Sequence, residues 1–344
     1  MKRIIDIIIL TSVLILTGCK DVSSVDPQIG ESDRRPIEFG ISSDLSVESK
    51  AAIDENNYTA AGFTAFGFFT EPDATSGNPV FQDNTVVTYR PDAWSYTPLR
   101  YWQPGSYVFA GVMPSGYSAT FDSSNKLTLN FDEDGFNLAE TQTDLLVAFD
   151  KETVTSVKDA GLVDFDFTHQ LALVTIEGRS KDPDTQGIAV QEIVVYGNSK
   201  EATGDIVFTY NPTSGTFTSS AYNLGSLSTD KEVYKTISRP ENLTGAASTA
   251  DWDLTYTDTY DVLEPGLLVF PQTCNFSIVV KYKEGGKDMT MTGTLPATWE
   301  AGKKYTYRFS LAADISFSFD VDEWDSVDVS DGDHTDDDNE IEIY

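Results

Sequence analysis

The chain has 344 residues, with 55 Asp plus Glu against 23 Lys plus Arg, a formal net charge of −32. A surface that acidic repels nucleic acid and anionic lipid head groups, so binding to either through charge is excluded. Aromatic residues make up 12% of the chain, enough to build large cores and to exclude a disordered polymer.

The N-terminus opens with Met1-Lys2-Arg3, followed by a mostly aliphatic run from Ile7 to Leu16, with Asp6 just in front of it. Ten residues are too few to cross a bilayer as a helix but suit the apolar region of a secretory signal. Thr17 and Gly18 are small, and Cys19 follows. "LTGC" at 16–19 resembles the lipobox of bacterial lipoproteins. That resemblance implies a signal peptide at 1–18, cleavage before Cys19, and acylation of both its thiol and its new amine, with residues 19–35 as a tether. One acyl chain holds a membrane marginally, at about 0.8 kcal/mol per buried methylene, whereas two or more hold stably. Membrane contact is then expected through lipid on Cys19. Cys274, the second of two cysteines, is left without an intrachain partner and reads as a small buried apolar residue.

Beyond the tether, period-two alternation recurs. Ile37, Phe39 and Ile41 alternate in "RPIEFGISS". In "SYTPLRYWQPGSYVFAGVMP" the aromatics Tyr96, Tyr101, Trp102, Tyr107 and Phe109 could stack on sugar rings. Tyr107 and Phe109 nevertheless alternate with Val108 as core residues of a strand would. Residues 136–148 suggest one turn and then a short strand. The polar stretch 149–161 predicts a boundary, giving an N-terminal domain at 36–158 and a C-terminal domain at 159–330. Val163, Phe165, Phe167, His169, Leu171 and Leu173 share one face. "KEGGKD" within 276–295 signals a hairpin around Glu284 to Lys287. Tyr305, Tyr307, Phe309 and Leu311, and then Ile315, Phe317, Phe319 and Val321, alternate again. Many short strands between Gly, Pro, Asn and Ser turns predict an all-β sandwich architecture. The acidic tail at 331–344 lacks the ligand spacing of a calcium loop and reads as a solvated segment, with Ile341 and Ile343 able to pair as a strand.

Chemistry is sparse. His334 lies in the acidic tail, and His169 sits on an apolar strand face, where a hydrogen-bonded core histidine is expected. No zinc-ligand cluster, phosphate-binding Gly-rich loop or nucleophile elbow is present. Pairs of carboxylates are uninformative among 55 acidic residues. The expectation is a protein that is not an enzyme and has no cofactor, metal site or nucleic-acid partner.

Several segments taken in order resemble the fimbrillin family, in its Mfa-like branch, of the Bacteroidales. They are Trp94 with "LRYWQPGSYVFAGVMP", "TQTDLLVA" at 141–148, "FDFTHQLALV" at 165–174, "LLVFPQ" at 267–272, "WEAGKKYTYRFSL" at 299–311 and "VDEW" at 321–324. The resemblance implies two tandem transthyretin-like β-sandwich domains in a pilus (fimbria) subunit. Such subunits travel as lipoproteins to the outer membrane and the cell surface. Shaft and tip subunits lose their first strand to a trypsin-like, arginine-preferring protease, and a strand from another pilus subunit fills the groove. Here the removable strand would be about 37–49, with Ile37, Phe39 and Ile41 as its apolar residues. The residue matching the cleavage position is Lys50, in "SKAA". Arg34 is the alternative, since Pro36 blocks cleavage after Arg35; a cut after Arg34 would release the lipid and keep the strand. Lys20-Asp21 resembles a short surface-export tag. The alternative function is a non-polymerising surface lipoprotein that binds glycans; either reading leaves room for a host or glycan ligand.

Overall fold

The computed structural model describes residues 34–42, 52–54, 57–180, 188–238, 253–254, 260–311, 316–323 and 341–342. Cys19, Lys50, Trp324, His334 and most of the acidic tail lie outside them. The first strands are β1 (Phe39–Ile41), β2 (Phe63–Thr70), β3 (Asn78–Arg90), β4 (Ala93–Ser95), β5 (Gly105–Met113), β6 (Ala119–Phe121), β7 (Lys126–Asn137) and β8 (Leu146–Val154). There follow β9 (Val163–Phe165), β10 (Thr168–His169), β11 (Ala172–Ser180), β12 (Ile188–Tyr196), β13 (Glu201–Asn211), β14 (Thr216–Ser219), β15 (Asn223–Leu224) and β16 (Lys235–Ser238). The last are β17 (Asp253–Leu254), β18 (Asp261–Val269), β19 (Gln272–Glu284), β20 (Lys287–Trp299), β21 (Lys303–Leu311), β22 (Ser316–Glu323) and β23 (Ile341–Glu342). A single helical turn, α1 (Tyr58–Ala61), precedes β2. The protein is all-β.

A six-stranded sheet runs β10-β8-β5-β2-β3-β4. Its central strands are apolar on both sides, because both faces are covered. Along β2, Phe63, Ala65 and Phe69 enter one core while Phe66 enters the other. Along β5, Tyr107, Phe109 and Met113 face the first core, and Ala110 and Val112 the second. Near-continuous apolar runs are what a doubly covered sheet requires. The first core lies beneath β1 and β9, which form a two-stranded parallel sheet. On the opposite face stands the sheet β14-β13-β7-β6, through contacts such as Phe68–Phe121 (5.7 Å) and the stacked Phe149–Tyr210 pair (5.0 Å).

The remaining strands form the sheets β18-β11-β21-β22-β23 and β16-β12-β19-β20. Phe276, Leu295, Trp299 and Tyr307 are buried in the large core that these two sheets share. Trp299 Nε1 donates to Tyr307 Oη at 3.0 Å, which satisfies the indole. The hairpin expected at Glu284 to Lys287 is present, with those two residues paired across Gly285-Gly286.

Three pairings cross the 158/159 line drawn from the sequence, that of β8 with β10 among them. β1 pairs with β9, and β7 pairs with β13 over eight residue partners. Val163, Phe165 and Phe167 all belong to the first core, while Leu171 belongs to the second. The polar stretch beginning at residue 149 is strand as far as Val154, where β8 pairs with Gly105 of β5. A solvent-facing side chain leaves backbone pairing unaffected, so polarity is compatible with strand up to Val154.

Candidate functional site: the β1 groove

The stretch expected to be removable is built into the first core by one side chain above all. Ile37 is 1% exposed and Phe39 5%, whereas Ile41 is half-buried and Glu38 exposed. The ring of Phe39 lies 5.5 Å from Phe63, 5.5 Å from Phe81, 5.6 Å from Tyr96 and 5.7 Å from Phe165, the last pair stacked at 20°. Burial of such a ring contributes about 1.5–3 kcal/mol, with roughly 0.5–1.5 kcal/mol more for a well-oriented aromatic pair. Without Phe39, the box would be lined by Phe63, Phe81, Tyr96 and Phe165.

Backbone bonds hold the rest of the segment. Trp102 N donates to Arg35 O at 3.0 Å, and Ile37 N donates to Arg100 O at 2.9 Å. Val163 N donates to Glu38 O at 2.8 Å, Phe39 to Ile41 then pair in parallel with Val163 to Phe165, and Ser42 N closes the run on Phe165 O at 3.2 Å. Tyr96 Oη donates to Ile37 O at 2.8 Å, and burial pushes this phenol up to about 12, so it stays a neutral donor. The β1 strand itself is three residues long and pairs, among the described strands, with β9 alone.

Downstream, a second set of contacts fixes Ile53 and Asn57. Ile53 N donates to Asp144 Oδ2 at 2.9 Å, and Leu145 N donates to Asp144 Oδ1 at 2.8 Å. His169 Nδ1 lies 2.9 Å from the same Oδ2, and both side chains are essentially inaccessible. Asp54 and Asn57 exchange two backbone-to-side-chain bonds, and Asn57 Nδ2 donates to Ala52 O at 3.0 Å. His169 is thus the hydrogen-bonded core histidine expected. Its partner, Asp144, sits inside "TQTDLLVA", and sequence reasoning had not singled it out.

The sequence model of fimbrillin-like proteins matches residues 50–324. This chain belongs to the fimbrillin-like family. Fimbrillins are structural proteins rather than enzymes. The match opens at Lys50, on the C-terminal side of β1. Among solved structures, a fimbrial protein from Bacteroides vulgatus superposes with a TM-score of 0.55 at 17% identity, covering 85% of this chain and 99% of that one. A fimbrial assembly protein from Parabacteroides distasonis aligns over 84% of this chain and 98% of that one at 12% identity, with a TM-score of 0.43. The first of these likenesses supports the all-β fold. No curated protein matches the sequence.

The other sequence-predicted residues of this fimbrillin-like chain fall as follows. Arg34 is exposed, its guanidinium 5.9 Å from the centre of the Tyr101 ring. Arg35 donates to Lys158 O at 3.1 Å, in a short 3-10 turn (Val157–Asp159) ahead of β9. Of the aromatics considered for sugar stacking, Trp102, Tyr107 and Phe109 are buried and Tyr96 donates to Ile37 O, just ahead of β1; Tyr101 is 38% exposed. Cys274 is buried and its thiol pushed up to about 11 by that burial, so it behaves as an apolar group. No group of three metal-ligating side chains occurs among the described residues.

Proposed function

We propose that this chain is a pilus subunit that assembles by strand exchange. It would reach the outer membrane as a lipoprotein held by Cys19, lose residues up to Lys50, and accept a strand of a neighbouring subunit where β1 had been. The observation that carries the reading is the isolation of β1: a three-residue parallel strand plugging an aromatic box through Phe39. Removing it would leave the N–H of Val163 and the C=O of Phe165 unpaired above an apolar groove, and an incoming strand would restore both. The Asp144 contacts to Ile53 support the same reading, because they hold the retained side of the cut independently of β1. A head-to-tail joint of this kind does not close on itself and so makes a fibre.

The glycan-binding alternative draws little from the aromatic segment at 96–109, most of which faces the core or β1. The deciding measurement is the mass and N-terminal sequence of the mature protein from intact cells and from sheared surface material. A start at Ala51 in high-molecular-weight sheared material is the expected result. Acylated Cys19 with residues 20–50 intact, found only in membranes, would sink the polymerising reading and leave an anchored lipoprotein.

A further inference from the structure

β20 is the outer strand of its sheet. It pairs with β19 from Lys287 to Trp299 without a register shift, and no described strand lies on its other side. The turn determines which backbone groups are left over. Gly285 and Gly286 both have positive φ, 55° and 80°, as a two-residue hairpin turn requires, and this makes Glu284 and Lys287 a mutually hydrogen-bonded pair. Counting on from Lys287, odd-numbered residues of β20 aim their N–H and C=O at β19, and even-numbered residues aim theirs at the free edge. Pro296, which has no N–H to give, stands at an even position, where the ladder loses nothing. The side chains follow the same alternation: Met291, Leu295, Ala297 and Trp299 are buried, while Thr290, Thr292, Thr294 and Thr298 are exposed.

Soluble proteins ordinarily blunt a long edge strand with charges, proline, a bulge or brevity. From Met289 to Trp299 this strand carries no charged residue and no bulge; its one proline, Pro296, lies towards the far end and leaves the edge N–H groups of Thr290, Thr292 and Thr294 in place. The adjacent strand is uncharged too, from Gln272 to Val280. Charges collect at the hairpin end instead, where Lys281 pairs with Glu192 and Lys283 with Asp288. On a chain of net charge −32, two copies repel wherever acidic surfaces meet, so a neutral edge is where they approach at least cost. Threonine is also a strong strand former, and antiparallel pairing about a two-fold axis is self-complementary by construction.

We propose that the free edge of β20 pairs antiparallel with β20 of a second copy, joining two subunits side by side through a continuous sheet. This contact leaves β1 untouched and does not depend on strand exchange. At about 3.4 Å per residue and 4.8 Å between strands, the neutral strip measures roughly 35 Å by 10 Å. That is well under the ~800 Å² per partner of a standard interface, so isolated subunits associate weakly, and repetition along a fibre would strengthen the contact.

The test is sedimentation velocity over a concentration series, on the chain from Lys20 onward with β1 in place. The expected result is a dimer that forms reversibly at concentrations of about 0.1 mM. Thr292→Pro removes an edge N–H while sparing the ladder to β19, and should weaken dimerisation by about tenfold or more with an unchanged melting temperature. Thr294→Asp places like charges across the axis and should do the same, which keeps the test alive if the proline variant folds poorly. Absence of any dimer up to about 0.5 mM, or a dimer that survives both substitutions, overturns the proposal. Either result leaves the strand-exchange reading as it stood, because the mature N-terminus decides that separately.

Discussion

Phe39 does more to hold β1 than any backbone bond, because its ring meets five aromatic neighbours in a box that no water fills as well. Truncating a buried Phe costs about 3–5 kcal/mol when the site cannot collapse around the gap. Phe39→Ala should therefore release β1 locally. The expected sign is loss of hydrogen-exchange protection at Val163 N–H, which donates to Glu38 O, with protection retained at Phe276 in the other core. Gly111 makes room for the floor of the same box: a Cβ there would stand 2.9 Å from Phe167 Cζ and 3.0 Å from Phe165 Cε2. Gly111→Val should push these rings outward and destabilise the fold by about 1–3 kcal/mol, measurable by urea denaturation. The alternation of Ile37 and Phe39 was legible in the sequence, since period two shows directly in residue type. Gly111 and Asp144 were not, because what they do depends on atoms more than twenty residues away.

At the scale of the element, a three-residue parallel strand is held by side-chain burial and by neighbours that it does not itself organise. The β1 segment should remain bound after the chain is nicked at Lys50, since its contacts to Arg100, Trp102, Val163 and Phe165 all lie beyond the cut. Nicked protein should co-elute with its 20–50 fragment in gel filtration, and an excess of peptide 36–49 should displace that fragment slowly. The same peptide with Phe39→Ala should fail to exchange; equal exchange by both peptides would contradict the plug. That β1 is a strand was readable from its alternation. Its parallel partner was not, because β9 lies more than 120 residues away and no local pattern encodes register between distant strands. The polar run at 149–161 shows the same limit at its start: β8 stays in the sheet through Val154 by backbone pairing with β5.

For the whole molecule, buried phenols set a ceiling on pH. Burial pushes Tyr96 and Tyr107 up to about 12 from an ordinary value of 10, and raises Tyr117, Tyr222, Tyr234 and Tyr307 as well. In each case the folded state holds the proton more tightly than the unfolded chain. The stabilisation is then complete below pH 10 and is lost as pH rises from about 10 to 12. Unfolding midpoints in urea should stay flat against tyrosine titration up to about pH 9.5 and fall steeply above it, with the tyrosinate absorbance appearing together with unfolding. Absorbance of all sixteen tyrosinates appearing before unfolding, rather than that of the exposed phenols alone, would show the buried ones to be accessible.

By itself the sequence determined that this chain is all-β, acidic and aromatic-rich, and it carried enough family-specific segments to be recognised as fimbrillin-like. Composition and alternation are properties of neighbouring residues, and they survive without a fold. Only the tertiary structure decided that β1 lies parallel to β9 with Phe39 in an aromatic box, that β7 and β13 pair across the sequence midpoint, and that Asp144 ties Ile53 to His169. The reason is physical: strand order, parallel direction and register are chosen by the burial of whole faces against one another, a sum over contacts between segments far apart in the chain.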